Sequence, residues 1–210
     1  MIYITENSPA EAWEKAFIHL YNLGREIEIN GFYKNECAAI EISKPLSLSY
    51  SNYFPIDKDV IEVINRYIVT GEDEEKIDHQ WTKLYRKRLF CEENQIEKII
   101  SILKEWPDCP RAQISTWKNG KDLKRNEIAP CLQLLWFKLI DDKLDIHVHM
   151  RTTDCYSKLL LNFNEFIAIQ KYVSKKISKE LGVYRHFIDS LHFHKKDKDK
   201  VDQLQLIINK

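Results

Sequence analysis

"CLQLLWFKLIDDKLDIHVHMRT", residues 131–152, is the stretch from which the fold can be read. "CLQLLWFKLI" is nearly continuously apolar, as a strand buried on both faces would be. "KLDIHVHMR" alternates: Leu144, Ile146, Val148 and Met150 against Asp145, His147, His149 and Arg151. Asp141-Asp142 between them is a turn, so the stretch is a β-hairpin. Folding back brings Arg151 to the end where Cys131 stands. One register pairs Cys131 with Thr152; the next pairs Gln133 with Arg151 and puts Arg151 on the cysteine's face. In either register a guanidinium lies within a few residues of the thiol. A nearby cation lowers a thiol pKa and raises the thiolate fraction, an activation device for a nucleophile. The competing reading is a buried thiol in a core strand.

Working outward, Ser8, Pro9 and Glu11 form an N-cap, a proline at N1 and a capping-box acid. Trp13, Phe17, Leu20 and Tyr21 follow at helical spacing up to Gly24. "CAAIEISKPL", 37–46, is a strand ended by Pro45. Val60, Ile61, Ile64 and Ile68 mark a helix over 57–69 that closes near Gly71. The charge-dense run "EDEEKIDHQWTKLYRKRLF", 72–90, reads as a solvated connection anchored by Trp81 and Tyr85. A helix spans 94–105, and "AQISTW", 112–117, is a strand after the loop bounded by Pro107 and Pro110. Asn162 or Asn164 caps a long helix whose stripe is Phe166, Ile169, Val173, Ile177 and Leu181, ended by Gly182. "SLHFH", 190–194, is a further strand, and "KKDKDK", 195–200, a solvated turn. No repeat or composition break divides the chain. The expectation is a single α+β domain over 1–210, with a mixed sheet packed by long helices.

Composition excludes several functions. Lys+Arg and Asp+Glu both number 32, so no net charge draws the chain to nucleic acid or an acidic membrane. The N-terminal segment lacks the basic and apolar regions of a signal peptide, and no apolar run is long enough to span a bilayer. The five cysteines are odd in number, widely spaced and without a CxxC. They fit a reduced, cytoplasmic protein. His147/His149 and His192/His194 are H-x-H pairs, but no Cys or carboxylate stands beside them at ligand spacing, so no metal is expected. Glycine-rich phosphate loops and a G-x-S-x-G elbow are absent.

The order of motifs carries a resemblance. Pro130-Cys131 precedes an apolar strand and an acidic turn. Arg151-Thr152-x-Asp154, Asn162 eight residues later and a Ser190-x-His192 strand follow. This resembles the thymidylate synthase superfamily, which includes the pyrimidine nucleotide hydroxymethylases. The likeness is greatest to short archaeal-type members, whose nucleophile motif also reads Pro-Cys-Leu-Gln-Leu. "NQIEKIISILKEWPD" and "PRAQISTW" agree in order upstream. The resemblance implies a thymidylate synthase-like fold and a folate-dependent C5 methyltransferase acting on dUMP. Cys131 thiolate adds to C6 of a pyrimidine 5'-monophosphate, and C5 takes up the methylene of 5,10-methylenetetrahydrofolate. After loss of the C5 proton, hydride from the folate gives methyl, whereas water gives hydroxymethyl.

By the same resemblance, Arg151 and Thr152 hold phosphate, and Arg111 reaches phosphate across a homodimer. Asp154 lies near folate and pyrimidine, Asn162 reads the base, and His192 with His194 faces the ribose. Tyr85 matches a family tyrosine, Arg88 an arginine after it, Lys158 the folate-side loop, and Glu62 a buried glutamate that orders water. An Asn amide accepts from N3–H and donates to O4, which suits uracil. The chain departs from the pattern at Pro110, Arg86, Lys158 and the leucines after it, and His194. These departures leave two alternatives: a dUMP or CMP hydroxymethylase, and a catalytically impaired nucleotide-binding homologue.

Overall fold

The computed structural model describes residues 1–29, 31–45, 49–125 and 127–208. Leu46 of the expected 37–46 strand lies outside them. The hairpin forms as β5 (Leu132–Ile140) and β6 (Lys143–Met150), joined by Asp141 and Asp142, both at positive φ (49° and 63°). Two left-handed residues are what a two-residue turn needs to match the twist of its strands. Leu135 pairs with Val148 and Phe137 with Ile146, but a bulge at Gln133 shifts the register below Leu134. Leu132 therefore faces Met150, and the Arg151 amide donates to the Cys131 carbonyl at 3.0 Å. Cys131 and Arg151 become direct cross-strand neighbours, which neither uninterrupted register gives.

Around the hairpin the sheet runs β1-β3-β8-β6-β5-β4, built also from β1 (Ile2–Glu6), β3 (Phe32–Ile42), β4 (Gln113–Ser115) and β8 (Glu180–His194). Short β2 (Arg25–Glu26) and β7 (Thr153–Asp154) pair with β3 and β8. β1 is parallel to β3, and β6 to β8; the other pairs are antiparallel, so the sheet is mixed. Parallel neighbours need crossovers. Helix α1 (Pro9–Leu23) supplies one, with Ser8 and Glu11 closing the expected capping box, and α6 (Leu159–Ile177) supplies the other. Both lie on the same side of the sheet as α2 (Lys58–Thr70) and α4 (Gln95–Glu105), which pack on α6. Trp13, Phe17, Leu135, Phe137, Phe163 and Phe166 fill the layer between.

Several expectations are corrected. β5 is buried on one face only: Leu132, Leu135 and Phe137 point into the core, while Trp136 and Lys138 point away. Residues 72–90 are not a solvated connection throughout: 72–80 are largely exposed, but 81–90 are buried or half-buried apart from Lys87. The segment forms a short 3₁₀ turn, α3 (Gln80–Arg86) and a π turn (Lys87–Cys91) that buries Arg88 and Leu89. A bidentate pair with buried Asp122, on the short α5 (Asn119–Asp122), makes the burial of Arg88 tolerable. Helix α6 begins three residues before Asn162, with Lys158 at its N-cap position, and ends at Ser178 in the left-handed region. Gly182 lies inside β8, where a Cβ would stand 2.0 Å from Asp145 Oδ1. Residues 195–200 enter α7 (Lys198–Ile208), whose Val201 is buried. The strand expected at 190–194 is the end of the fifteen-residue β8.

Candidate active site

The C-terminal end of β6 and the N-terminal end of β5 open onto a cavity of about 530 Å³. Its size falls in the range of small-molecule sites. Cys131, Arg151 and Thr152 line it from the hairpin, Asp154 from β7, Lys158 and Asn162 from α6, His192 and His194 from β8, and Tyr85 from α3. The chain thus gathers nine residues singled out from its sequence. Glu62 is not among them: it is half-exposed on α2, accepts from the Tyr50 hydroxyl at 2.9 Å and pairs with Lys58. The inward face of α2 carries Ile61 and Ile64 instead. Arg111 is exposed beside β4, next to Ala112, whose carbonyl accepts from the Phe137 amide, and it does not reach this cavity within the chain.

Arg151 is held by two backbone carbonyls. Its Nε donates to Pro130 O at 3.0 Å and an Nη to Ala129 O at 3.4 Å, and no carboxylate pairs with it among the described residues. That leaves an uncompensated guanidinium at the mouth, with Lys196 also on the wall. The Cys131 thiol is pushed above its ordinary value by burial. Arg151 and the Tyr85 hydroxyl pull it down but do not overcome burial. The expected activation by a cation is therefore present and outweighed by burial. The Tyr85 hydroxyl is itself pushed up by burial and accepts from the Leu132 amide at 3.3 Å.

Asp154 is fixed by its own turn: Oδ1 accepts from Tyr156 N at 3.0 Å, and Oδ2 from Ser157 N at 3.3 Å and Ser157 Oγ at 2.6 Å. These bonds set the chain's entry into α6 and hence the height of Asn162. The Asn162 Nδ2 donates to the Met150 sulfur at 3.5 Å, and no other bond holds this amide among the described residues. It is free to exchange hydrogen bonds with a ligand. Burial pulls the Lys158 ammonium down, with Asp154 opposing. His192 is pulled to about 4, chiefly by burial. Its Nδ1 lies 3.1 Å from both Ser190 O and Thr152 Oγ1, and its Nε2 lies 3.3 Å from His194 Nε2. A carbonyl only accepts, so the His192 proton sits on Nδ1, and His194 donates to the His192 Nε2.

The aromatic and imidazole rings of the wall include three that the sequence did not mark as site residues. Phe32 stacks on His192 with ring centroids 3.7 Å apart. His79 and Trp81, 5.9 Å apart, form the opposite wall. Their signal was "HQW" inside a run whose charge density masked a helix start. Among the described residues no group of three or more His, Cys, Asp or Glu is placed to hold a metal ion, and no helix is long and apolar enough to cross a membrane.

Comparison with known proteins gives this cavity a context. The family model for thymidylate synthase matches residues 61–210. A provisionally named thymidylate synthase of Methanosarcina mazei is 28% identical over 206 residues, covering 95% of this chain and 93% of that one. Its counterpart in Methanocaldococcus jannaschii is 28% identical over 165 residues, covering 74% and 72%. The structure of thermostable thymidylate synthase A from Bacillus subtilis superposes with a TM-score of 0.75 over 95% of this chain and 84% of that one. At 14% identity it shows the fold alone. The match over residues 61–210 includes both strands of the hairpin, the whole of α6 and every cavity residue above except Phe32; the chain belongs to the thymidylate synthase family.

Proposed function

We propose that this protein is a folate-dependent C5 transferase acting on a pyrimidine nucleoside 5'-monophosphate, with dUMP as substrate and dTMP as product. The observation that carries the reading is the convergence of Cys131, Asn162 and unpaired Arg151 on one cavity. The roles follow from chemistry. Arg151, with its fork of donors, binds the 5'-phosphate, and Thr152 adds a hydroxyl. The anion brings a negative charge beside Arg151, while the nucleotide displaces water from the thiol. Tyr85 and Arg151 stabilise the Cys131 thiolate as it bonds to C6. His192, locked as the Nδ1–H tautomer by Ser190, turns its ring toward the ribose together with His194. Asn162 reads N3–H and O4, an arrangement that favours uracil over cytosine.

The remaining cavity wall suits a reduced pterin. The Trp81 ring and the Lys158 stem offer flat apolar surface, and the Asp154 carboxylate offers an acceptor for ring N–H groups. When bound, 5,10-methylenetetrahydrofolate supplies the one-carbon unit and the hydride that reduces it. Lys158 and Asp154 would hold it, and Cys131 keeps C6 saturated until the new C5 substituent is complete.

The test is incubation with 5-tritiated dUMP and methylenetetrahydrofolate. Tritium release with dihydrofolate absorbance and dTMP mass is the expected result. Release with a hydroxymethyl product and no dihydrofolate would identify a hydroxymethylase. No release from dUMP, UMP or CMP would rule out a transferase and leave a nucleotide-binding protein. A homodimer is part of this proposal. The outer sheet face carries Trp136 against His147 and a 41% exposed Phe187, and no helix covers it among the described residues. A second copy would cover it and bring Arg111 to its partner's phosphate. The five cysteines are free thiols, which suits the cytoplasm.

A further inference from the structure

An asparagine amide can be read in two orientations. With its carbonyl toward N3–H and its NH2 toward O4 it takes uracil; with the ends exchanged it takes the N3 lone pair and amino group of cytosine equally well. A half-turn about the last side-chain bond makes the exchange without moving the backbone. Asn162 therefore prefers one base only if something fixes which end is which. Its backbone is set by α6, where the Asn162 N–H donates to Lys158 O at 2.8 Å. Its side chain is buried and has one partner among the described residues.

That partner is the Met150 sulfur, 3.5 Å from Asn162 Nδ2. Met150 ends β6, is buried, and shares the cavity wall with Asn162 and Cys131. A thioether has lone pairs and no hydrogen to give, so only the NH2 end of an amide bonds to it. This contact therefore decides the orientation of the amide. Thr153 Oγ1 also lies 3.4 Å from the sulfur, but it lies 2.9 Å from Thr152 O. A hydroxyl has one proton, and the shorter bond to the carbonyl takes it, which leaves the sulfur to Asn162. The Asn162 carbonyl and the second Nδ2 hydrogen have no partner among the described residues, and they are what a base in the cavity meets.

We propose that Met150 is a positioning residue for base recognition: its sulfur holds the Asn162 amide in the orientation that takes uracil and disfavours the one that takes cytosine. This role rests on the nucleotide reading above. With uracil bound, Nδ2 keeps one hydrogen on the sulfur and gives the other to O4, while Oδ1 accepts from N3–H. With cytosine bound, Oδ1 stands against the sulfur. Two acceptors then meet, and the N–H···S bond is lost with nothing in its place. Leucine has about the volume of methionine and fills such a site comparably. What leucine lacks is the lone pair.

The chain has two methionines, and Met1 is exposed, so replacing methionine by norleucine changes one internal site. Norleucine puts a methylene where the sulfur stands and keeps the length of the side chain. Calorimetric Kd values for dUMP and dCMP give the readout. The ratio of the dCMP value to the dUMP value should fall about fivefold to tenfold in the norleucine protein, the effect of one hydrogen bond. The fall should come from tighter dCMP, with dUMP no tighter; a cavity merely loosened by the change would weaken both alike. Selenomethionine, which keeps an acceptor at the same place, should retain the wild-type ratio. Met150→Leu should behave as norleucine does, and it decides the matter if the norleucine protein does not fold. An unchanged ratio in the norleucine and Met150→Leu proteins overturns the role of Met150 and leaves the transferase reading standing, as does a wild type that binds both nucleotides equally. A wild type that binds neither nucleotide and forms no covalent adduct with 5-fluoro-dUMP overturns the transferase reading and this role together.

Discussion

Cys131 is subject to opposing influences, and burial outweighs the pull of Arg151 and Tyr85 together. A thiol held above its ordinary pKa is protonated at neutral pH, and its thiolate fraction climbs about tenfold per pH unit until that pKa is passed. Iodoacetamide should therefore label Cys131 slowly at pH 7 and faster through pH 9. Arg151→Ala removes the cation and should slow labelling several-fold further at pH 8. Arg151→Lys should slow it less, because the charge remains while the bonds to Pro130 and Ala129 are lost. Equal labelling rates in all three proteins, followed by mass spectrometry, would mean that Arg151 exerts no field on the sulfur. At this scale the sequence was informative about identity and poor on environment. Cys131, Arg151 and Asn162 were visible as residue types in order. The depth of the thiol depends on what packs over it, and Tyr85 comes from a segment that read as solvated.

The bulge at Gln133 shows how an element aims a side chain. Hydrophobic alternation fixes which face of β6 is buried, but one extra residue in β5 brings Arg151 level with Cys131. Gly182 has a comparable role in β8. Asp145 accepts from the Val183 amide at 2.8 Å and pairs with Arg185 at 2.7 Å, in the space a Cβ would need. Gly182→Ala should therefore break the β6–β8 junction and cost about 2 kcal/mol or more, read as a lower urea midpoint with unchanged slope. On the opposite wall, Arg88 ties the π turn below α3 to Asp122 and the Thr116 carbonyl. Arg88→Met leaves Asp122 buried without its cation and should cost about 3–5 kcal/mol. Asp122 is held below its ordinary pKa mainly by Arg88, so it adds stability above its unfolded value that is lost as pH falls through the folded one. The stability gap between wild type and Arg88→Met should narrow in acid; a gap constant from pH 7 to pH 3 would show that the ion pair is not its source. "YRKRLF" hid this helix end because a buried arginine and an exposed one look alike until their partner, here 34 residues away, is known.

At the scale of the molecule, one sheet face is packed by α1 and α6 and the other presents Trp136, His147 and Phe187. If a second copy covers that face, Arg111 and Cys131 of one site come from different chains. Arg111→Glu and Cys131→Ser should each abolish turnover, and mixing the two after mild denaturation should restore about a quarter of wild-type sites. That fraction assumes random pairing, half of it heterodimers with one intact site each; no recovery would place Arg111 outside the partner's site. The sequence by itself determined the starts of α1, α2 and α4, the hairpin and its turn, and the order in which the cavity's residues appear. All of these follow from local steric preference and periodicity, which act over a few residues. Only the tertiary structure decided that Glu62 is outside the site, that His79 and Trp81 are inside it, and that Glu165 lies buried behind Asn162. Those placements depend on which helices pack on α6, and solvent exclusion by distant segments decides whether a carboxyl is an exposed anion or a buried acid.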